Sequence, residues 1–123
     1  MLTMLAIAES DLTIEKLATA NKAAGDPLRL SILRLVEQGA FGVMELSQIF
    51  EVKQSGMSPH LKVLSQAGLV NAQREGNSIF YRRPLLSEAK SFSQWLLGLF
   101  RTLDACLLYT SDAADDSLRV DLG

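Results

Sequence analysis

The sequence predicts a mainly helical domain with a small β-hairpin, and three observations support this fold class. Apolar residues recur at spacings of three and four through most of the first hundred residues. Glycine, proline and capping residues divide this pattern into segments of helical length. After position 68 the period changes to two on either side of "EGN", which is typical of a hairpin. The predicted order is four helices, two strands and a last helix.

The composition is that of one globular domain. Of 123 residues, 48% are hydrophobic and 21% are charged. The apolar-rich run "FSQWLLGLF" is far shorter than the roughly 18 residues of a membrane span, and the first ten residues lack the basic start of a signal peptide. A single cysteine, Cys106, cannot form an internal disulfide. We therefore expect a cytoplasmic protein that does not contact a membrane.

The first two helices are predicted over about 11–24 and 27–38. Asp26 suits the N-cap of the second helix, and Pro27 suits its first position, where the missing N–H is not needed. The apolar side of the first helix is formed by Leu12, Leu17, Ala20 and Ala24.

The next two helices are separated by a short connection, as in a helix-turn-helix. The segment "VMELSQIF" (43–50) is followed by "EVKQ" and by a helix over about 55–67. The second of these helices has a narrow apolar stripe, and its opposite side carries small, polar and basic side chains. The residues expected to face inward are Leu46, Ile49 and Phe50 in the first helix and Met57, Leu61 and Leu64 in the second.

The strands "LVNAQR" and "SIFYRR" flank a turn in which Gly76 and Asn77 can adopt positive φ. A helix-turn-helix followed by a hairpin is the order of a winged helix-turn-helix. The last helix is predicted over about 85–103, and its apolar surface is wider than one small domain covers, so we expect a homodimer through the first and last helices. The residues expected in that interface are Leu12, Leu17, Phe92, Trp95, Leu96, Leu99, Phe100 and Leu103.

The net charge of −2 averages two unlike parts of the chain. Residues 104–123 hold five acids and one base, whereas residues 1–103 carry a net charge of +2. Between Lys53 and Arg83, five bases and one acid give a net charge of +4. Such a patch is more often a solvated face, and Arg82 and Arg83 can be solvated strand residues. Beside a helix-turn-helix, however, it indicates a surface that binds phosphates.

The polar side of the 55–67 helix is suited to the DNA major groove, which accepts an α-helix and is read by donors and acceptors. Ser55 and Ser58 are short enough for close approach, whereas Gln54 and Gln66 reach further. Lysines in and before this helix are placed for phosphates, and hairpin residues for the minor groove or flanking backbone. The predicted DNA-binding residues are Lys53, Gln54, Ser55, Ser58, His60, Lys62, Gln66, Arg74, Asn77 and Arg82.

Two residues of this helix leave alternatives open. If Ser55 is the N-cap, Pro59 removes the first intrahelical hydrogen bond; if Ser58 is the N-cap, Pro59 takes the first helical position. The serines can thus cap the helix as well as contact bases. His60 lies at the edge of the apolar stripe, which favours a structural or phosphate-bonding role over base reading.

Four segments, "AAGDPLRLSILRLVEQG", "MELSQIF", "SGMSPHLKVLSQAGLV" and "REGNSIFYR", resemble the ArsR/SmtB family of bacterial winged-helix repressors over roughly residues 15–100. The resemblance implies a homodimer that binds an operator with two half-sites and releases it on binding an effector. Metal-sensing members carry a cysteine pair in the first helix of the helix-turn-helix, or Asp and His ligands in the last helix. This chain has neither set, so we expect no metal and no cofactor, and the effector is unknown.

The C-terminal segment "CLLYTSDAADDSLRVDLG" resembles translated sequencing-adapter DNA. This implies a DNA-binding domain over 1–103 and a non-native or disordered tail over 104–123, although a natural acidic tail is the alternative. Part of the pattern also resembles longer proteins in which such a module precedes a methyltransferase-like domain, so the chain could be the DNA-binding part of a truncated regulator.

The expected function is sequence-specific DNA binding by a transcriptional repressor. The alternative is a winged helix that serves only in dimerisation or protein interaction. We do not expect an enzyme, because the sequence shows no paired carboxylates, Ser/His/Asp arrangement or phosphate-binding glycine loop.

Overall fold

Residues 12–106, the part of the chain that the computed structural model describes, form five α-helices and one three-stranded antiparallel sheet. The elements in chain order are α1 (Ile14–Ala24), α2 (Pro27–Leu35) continued by a 3₁₀ turn (Val36–Gln38), β1 (Phe41–Gly42), α3 (Val43–Phe50), α4 (Gln54–Gln66), β2 (Asn71–Glu75), β3 (Ser78–Arg82) and α5 (Ser91–Asp104). The winged helix-turn-helix order is confirmed. Of the residues in the C-terminal prediction, 107–123 lie outside the described part.

The first two helices begin at capping residues. The Thr13 hydroxyl accepts a hydrogen bond from the Lys16 N–H at 3.0 Å, so α1 begins at residue 14 rather than 11. The Asp26 carboxylate accepts one from the Arg29 N–H at 3.0 Å, and Pro27 is the first residue of α2. The predicted start of α2 is confirmed.

The sheet contains a strand that the sequence analysis missed. β1 has only two residues, which is too short to show a period of two; it pairs Phe41 with Tyr81 on β3. β2 and β3 are joined by a two-residue turn in which Gly76 has φ of +69°. The expectation of positive φ at Asn77 was wrong, because this turn needs it only at its first position.

The core is formed by side chains of all five helices and of the segment that follows α4, and most of its larger side chains are fully buried. Ile49, predicted to face inward, is 50% exposed, because the buried side of α3 is formed by Leu46 and Ser47 and Ile49 lies beside it. The fully buried members of the core include Ile32, Leu33, Leu46, Met57, Leu61, Leu64 and Leu69.

The last helix begins at residue 91 rather than 85, and Leu85 lies before it with 88% of its surface exposed. Four residues predicted to contact a second copy are buried within the single chain, where α5 packs on α2 and the Phe92 ring also lies against Lys16 of α1. They are Phe92, Leu96, Phe100 and Leu103. Within residues 12–106, no helix combines the length and apolar character required to cross a bilayer.

Candidate nucleic-acid interface

The second helix of the helix-turn-helix, α4, begins without a side-chain cap. Its N-cap is Lys53, whose carbonyl accepts hydrogen bonds from the N–H groups of Gly56 at 2.8 Å and Met57 at 2.9 Å. Neither Ser55 nor Ser58 is the N-cap, so both capping alternatives were wrong. Pro59 lies inside the helix.

The two sides of α4 differ as the sequence predicted. Met57, Leu61 and Leu64 are 0% exposed and anchor the helix in the core. The opposite side, which we call the recognition face, is exposed to solvent. It consists of Lys53, Gln54, Ser55, Ser58, Lys62 and Gln66. Packing thus fixes the helix while leaving small, polar and basic groups on its outer side.

His60 lies half-buried at the edge of the recognition face. Its Nδ1 is 3.1 Å from Nη1 of Arg29, which also donates from Nε to the Ala23 carbonyl at 2.6 Å and from Nη2 to the Lys22 carbonyl at 3.3 Å. A guanidinium has no acceptor, so in this contact Nδ1 of His60 is the acceptor and the neutral ring carries its proton on Nε2. Arg29 therefore connects the end of α1 to α4.

The hairpin β2–β3, which we call the wing, carries three predicted DNA-binding residues, all exposed. Asn71 pairs with Arg82, and Arg74 pairs with Ile79. Because side chains alternate along a strand, Arg74 and Arg82 lie on opposite faces of the wing. Asn77 lies in the turn at its tip.

Arg83 follows the wing but does not belong to its exposed surface. Its Nη1 and Nη2 donate to the Asp104 carboxylate at 3.0 and 2.6 Å, and its Nε donates to the Leu33 carbonyl at 3.0 Å. The guanidinium lies 4.2 Å from the centre of the Phe100 ring. Interpreting Arg83 as a solvated strand residue was wrong, because it fastens the end of the wing to α2 and α5.

A second arginine also holds the end of α5. Arg34 donates to the backbone carbonyls of Leu103 at 3.3 Å and Asp104 at 3.2 Å. The hydrogen bonds from Arg83 lower the pKa of the Asp104 carboxyl. Partial burial raises this pKa, and the positive charges of Arg83 and Arg34 lower it further. Asp104 lies one residue beyond the predicted domain boundary and is part of the folded domain.

No local pattern in the sequence indicates Arg29 or Arg34, or the structural role of Arg83. These arginines bond to groups between 6 and 70 residues away, so no local spacing indicates them. Among residues 12–106, no group of three or more His, Cys, Asp or Glu side chains is arranged to hold a metal ion.

A polar and basic recognition face on the second helix of a helix-turn-helix, beside a hairpin wing, defines the class of protein: a winged helix-turn-helix, DNA-binding regulator of transcription. Residues 26–72, from the cap of α2 to the first residues of β2, match the family described as "Bacterial regulatory protein, arsR family". The chain belongs to this arsR family.

Two curated relatives illustrate the match. An uncharacterised HTH-type transcriptional regulator from Methanocaldococcus jannaschii is 43% identical over 68 residues, which is 54% of this chain and 76% of the relative. The arsenical resistance operon repressor of Bacillus subtilis is 41% identical over 61 residues, which is 49% of this chain. The matched region spans 58% of the length of that repressor.

Solved structures agree with the fold. HlyU from Vibrio cholerae matches with a TM-score of 0.54 and 33% identity over 71% of this chain and 94% of that one. The homodimeric winged helix-turn-helix DNA-binding domain of Mb0332 from Mycobacterium bovis, a possible ArsR-family regulator, matches with a TM-score of 0.59 and 29% identity. That match covers 73% of this chain and 79% of the other. These matches favour a DNA-binding regulator over a winged helix that serves only in protein interaction.

Proposed function

We propose that this chain is a homodimeric repressor that acts in the cytoplasm, binds an operator with two half-sites, and leaves it when an effector binds. The observation that carries the proposal is the division of α4 into a fully buried apolar stripe and an exposed recognition face. A helix held in this way can enter the major groove without disturbing the core.

Within α4, the proposed roles follow from side-chain length and charge. Ser55 and Ser58 permit close approach to the bases, and Gln54 and Gln66 reach base edges from either end of the helix. The lysines of the recognition face contact phosphates. His60 donates to a phosphate from Nε2, because its Nδ1 accepts the hydrogen bond from Arg29.

The wing contributes from both of its faces. Because Arg74 and Arg82 lie on opposite faces, they are suited to the two phosphate strands that border a minor groove, with Asn77 at the tip between them. The wing therefore positions the domain on the duplex, and α4 reads the sequence.

The proposed dimer uses the apolar side chains of α1 and α5 that the single chain leaves partly exposed. Trp95 and Leu99 on α5 are half-buried, as are Leu12 and Leu17 at and before the start of α1, and α1 lies beside α5, since Nζ of Lys16 is 4.5 Å from the centre of the Phe92 ring. The M. bovis neighbour is described as homodimeric, which supports a dimer for this chain as well. Twofold symmetry places the two recognition helices in successive major grooves, about 34 Å apart.

The experiment begins with selection of an operator from a random duplex pool, followed by gel-shift titrations. Ser58→Glu places a carboxylate against the phosphates and is expected to abolish binding while leaving the circular dichroism spectrum unchanged. Ser87→Glu is the matched control, since it adds the same charge at an exposed position before α5 and is expected to retain binding. Normal operator binding by Ser58→Glu would show that α4 is not the reader.

A further inference from the structure

Pro59 is the residue of α4 least compatible with the helix in which it lies. It is the sixth residue of the helix Gln54–Gln66, beyond the first turn where proline is tolerated. It has no N–H, so the Ser55 carbonyl cannot receive the hydrogen bond that the fourth following residue normally donates. In a helix interior proline is the least favourable of all residues.

This unfavourable residue has no compensating contact within the core. Pro59 is exposed, whereas the residues that fix α4 in the domain lie on its other side. Its neighbours one turn away, Ser55 and Lys62, belong to the recognition face and are also exposed. Pro59 therefore lies in the middle of the surface that we propose contacts DNA.

The chemistry of a proline ring limits what it can read there. It has no donor and no acceptor in its side chain, so it cannot pair with the polar edges of guanine, adenine or cytosine. The only apolar group that base edges present in the major groove is the C5 methyl group of thymine. Because the neighbouring side chains of Ser55 and Ser58 are small, the helix can approach closely enough for the short Pro59 ring to reach a base.

From this placement we infer that Pro59 determines specificity by packing its ring against the methyl group of one thymine in each half-site. The inference rests on the proposed function, because it requires that α4 enter the major groove. To the proposed function the inference adds a preference for thymine at a defined operator position, and this preference depends on the methyl group alone.

The test replaces each thymine of the selected operator, one at a time, by deoxyuridine, which removes the methyl group and leaves every hydrogen-bonding group. We expect one position in each half-site at which this replacement weakens binding about fourfold, the factor that corresponds to burial of one methyl-sized group. Replacement at both half-sites is expected to weaken binding about 15-fold if the two contacts are independent.

The decisive variant is Pro59→Ser, which removes the ring and restores the helical N–H. We expect the variant to bind the thymine and deoxyuridine operators equally and to be at least as stable to heat as the wild-type chain. The matched control is Pro27→Ser at the exposed first position of α2, which should keep the wild-type sensitivity to deoxyuridine.

Two results would overturn the inference while leaving the proposed function intact. One is a wild-type chain that binds its operator but responds to deoxyuridine at no position. The other is a Pro59→Ser variant that retains the full wild-type response. A wild-type chain that binds no duplex from the pool refutes the proposed function itself and the inference with it.

Discussion

The contact between Arg83 and Asp104 should contribute measurably to the stability of the domain, and Asp104→Asn tests it. The substitution keeps the shape of the side chain but removes its charge. Arg83 would then lose a bidentate, charge-assisted contact at 3.0 and 2.6 Å while its side chain stays only 15% exposed. The guanidinium would keep its bond to the Leu33 carbonyl.

The expected size of the effect follows from the exposure of the two partners. Hydrogen bonds to charged groups contribute about 1.5–3 kcal/mol each, whereas exposed ion pairs contribute about 0–1 kcal/mol. Because 40% of the Asp104 side chain is exposed, water screens the pair, and its contribution should lie near the upper end of the range for exposed ion pairs. We expect Asp104→Asn to lower the free energy of unfolding by about 1 kcal/mol, which corresponds to a Tm lower by about 4–8 °C.

The assay is thermal and urea unfolding at one fixed protein concentration, since self-association also stabilises the folded state. Arg83 lowers the pKa of Asp104 in the folded state, so its contribution is complete above the ordinary carboxyl pKa of about 3.9. It is lost as the pH falls through the lower, folded pKa. The difference between wild type and variant should therefore be full at pH 7 and smaller at pH 3.

The control for this pair is Glu88→Gln, which removes the same charge at an exposed position before α5 and should change stability by less than about 0.5 kcal/mol. An Asp104→Asn variant as stable as the wild type at pH 7 would contradict the assignment. So would a difference that does not change between pH 7 and pH 3.

Four further substitutions test the core and the proposed dimer. Ser47→Ala should raise stability by up to about 1 kcal/mol in urea unfolding, because the Ser47 hydroxyl is buried without a hydrogen-bond partner. Gly68→Ala should lower it by about 1–2 kcal/mol, since φ is +82° and the new Cβ would lie 3.2 Å from the Phe92 ring. On α5, Leu99→Glu should shift the mass measured by light scattering from dimer to monomer and preserve the fold. Leu96 is 2% exposed, so Leu96→Ala should lower the free energy of unfolding by about 2–5 kcal/mol. Unchanged stability in the first two variants, or a stable dimer of Leu99→Glu, would contradict these assignments.

The sequence predicted those features whose causes are local. The cap and first residue of α2, Asp26 and Pro27, lie next to each other in the chain, and the stripe Met57, Leu61 and Leu64 repeats at helical spacing. Propensity and periodicity act over such distances, so the elements and the two sides of α4 were predictable. The exposed recognition face follows from the same periodicity.

The features that sequence reasoning missed depend on tertiary packing. The wide apolar surface of α5 suggested that six of its residues lie in an interface, but spacing cannot show that four of them, among them Phe92 and Leu96, are buried within the same chain. Similarly, nothing near His60 in the sequence indicates Arg29, which lies 31 residues before it. The start of α4 was misjudged because the Lys53 carbonyl, and no side chain, receives the first helical bonds.

The pairing of Arg83 also changes the charge that the domain offers to DNA. Of the five bases between residues 53 and 83, four are exposed; the fifth, Arg83, is partly buried and its charge is paired with that of Asp104. A dimer that uses Lys53, Lys62, Arg74 and Arg82 from each copy can neutralise up to about eight phosphates, so log K against log salt should have a slope no steeper than about −7. Removal of Lys62 by Lys62→Gln should make the slope shallower by about 2, since the dimer loses two contacts. A wild-type slope far steeper than −7 would mean that bases outside α4 and the wing also contact the duplex, and an unchanged slope for Lys62→Gln would remove Lys62 from the interface.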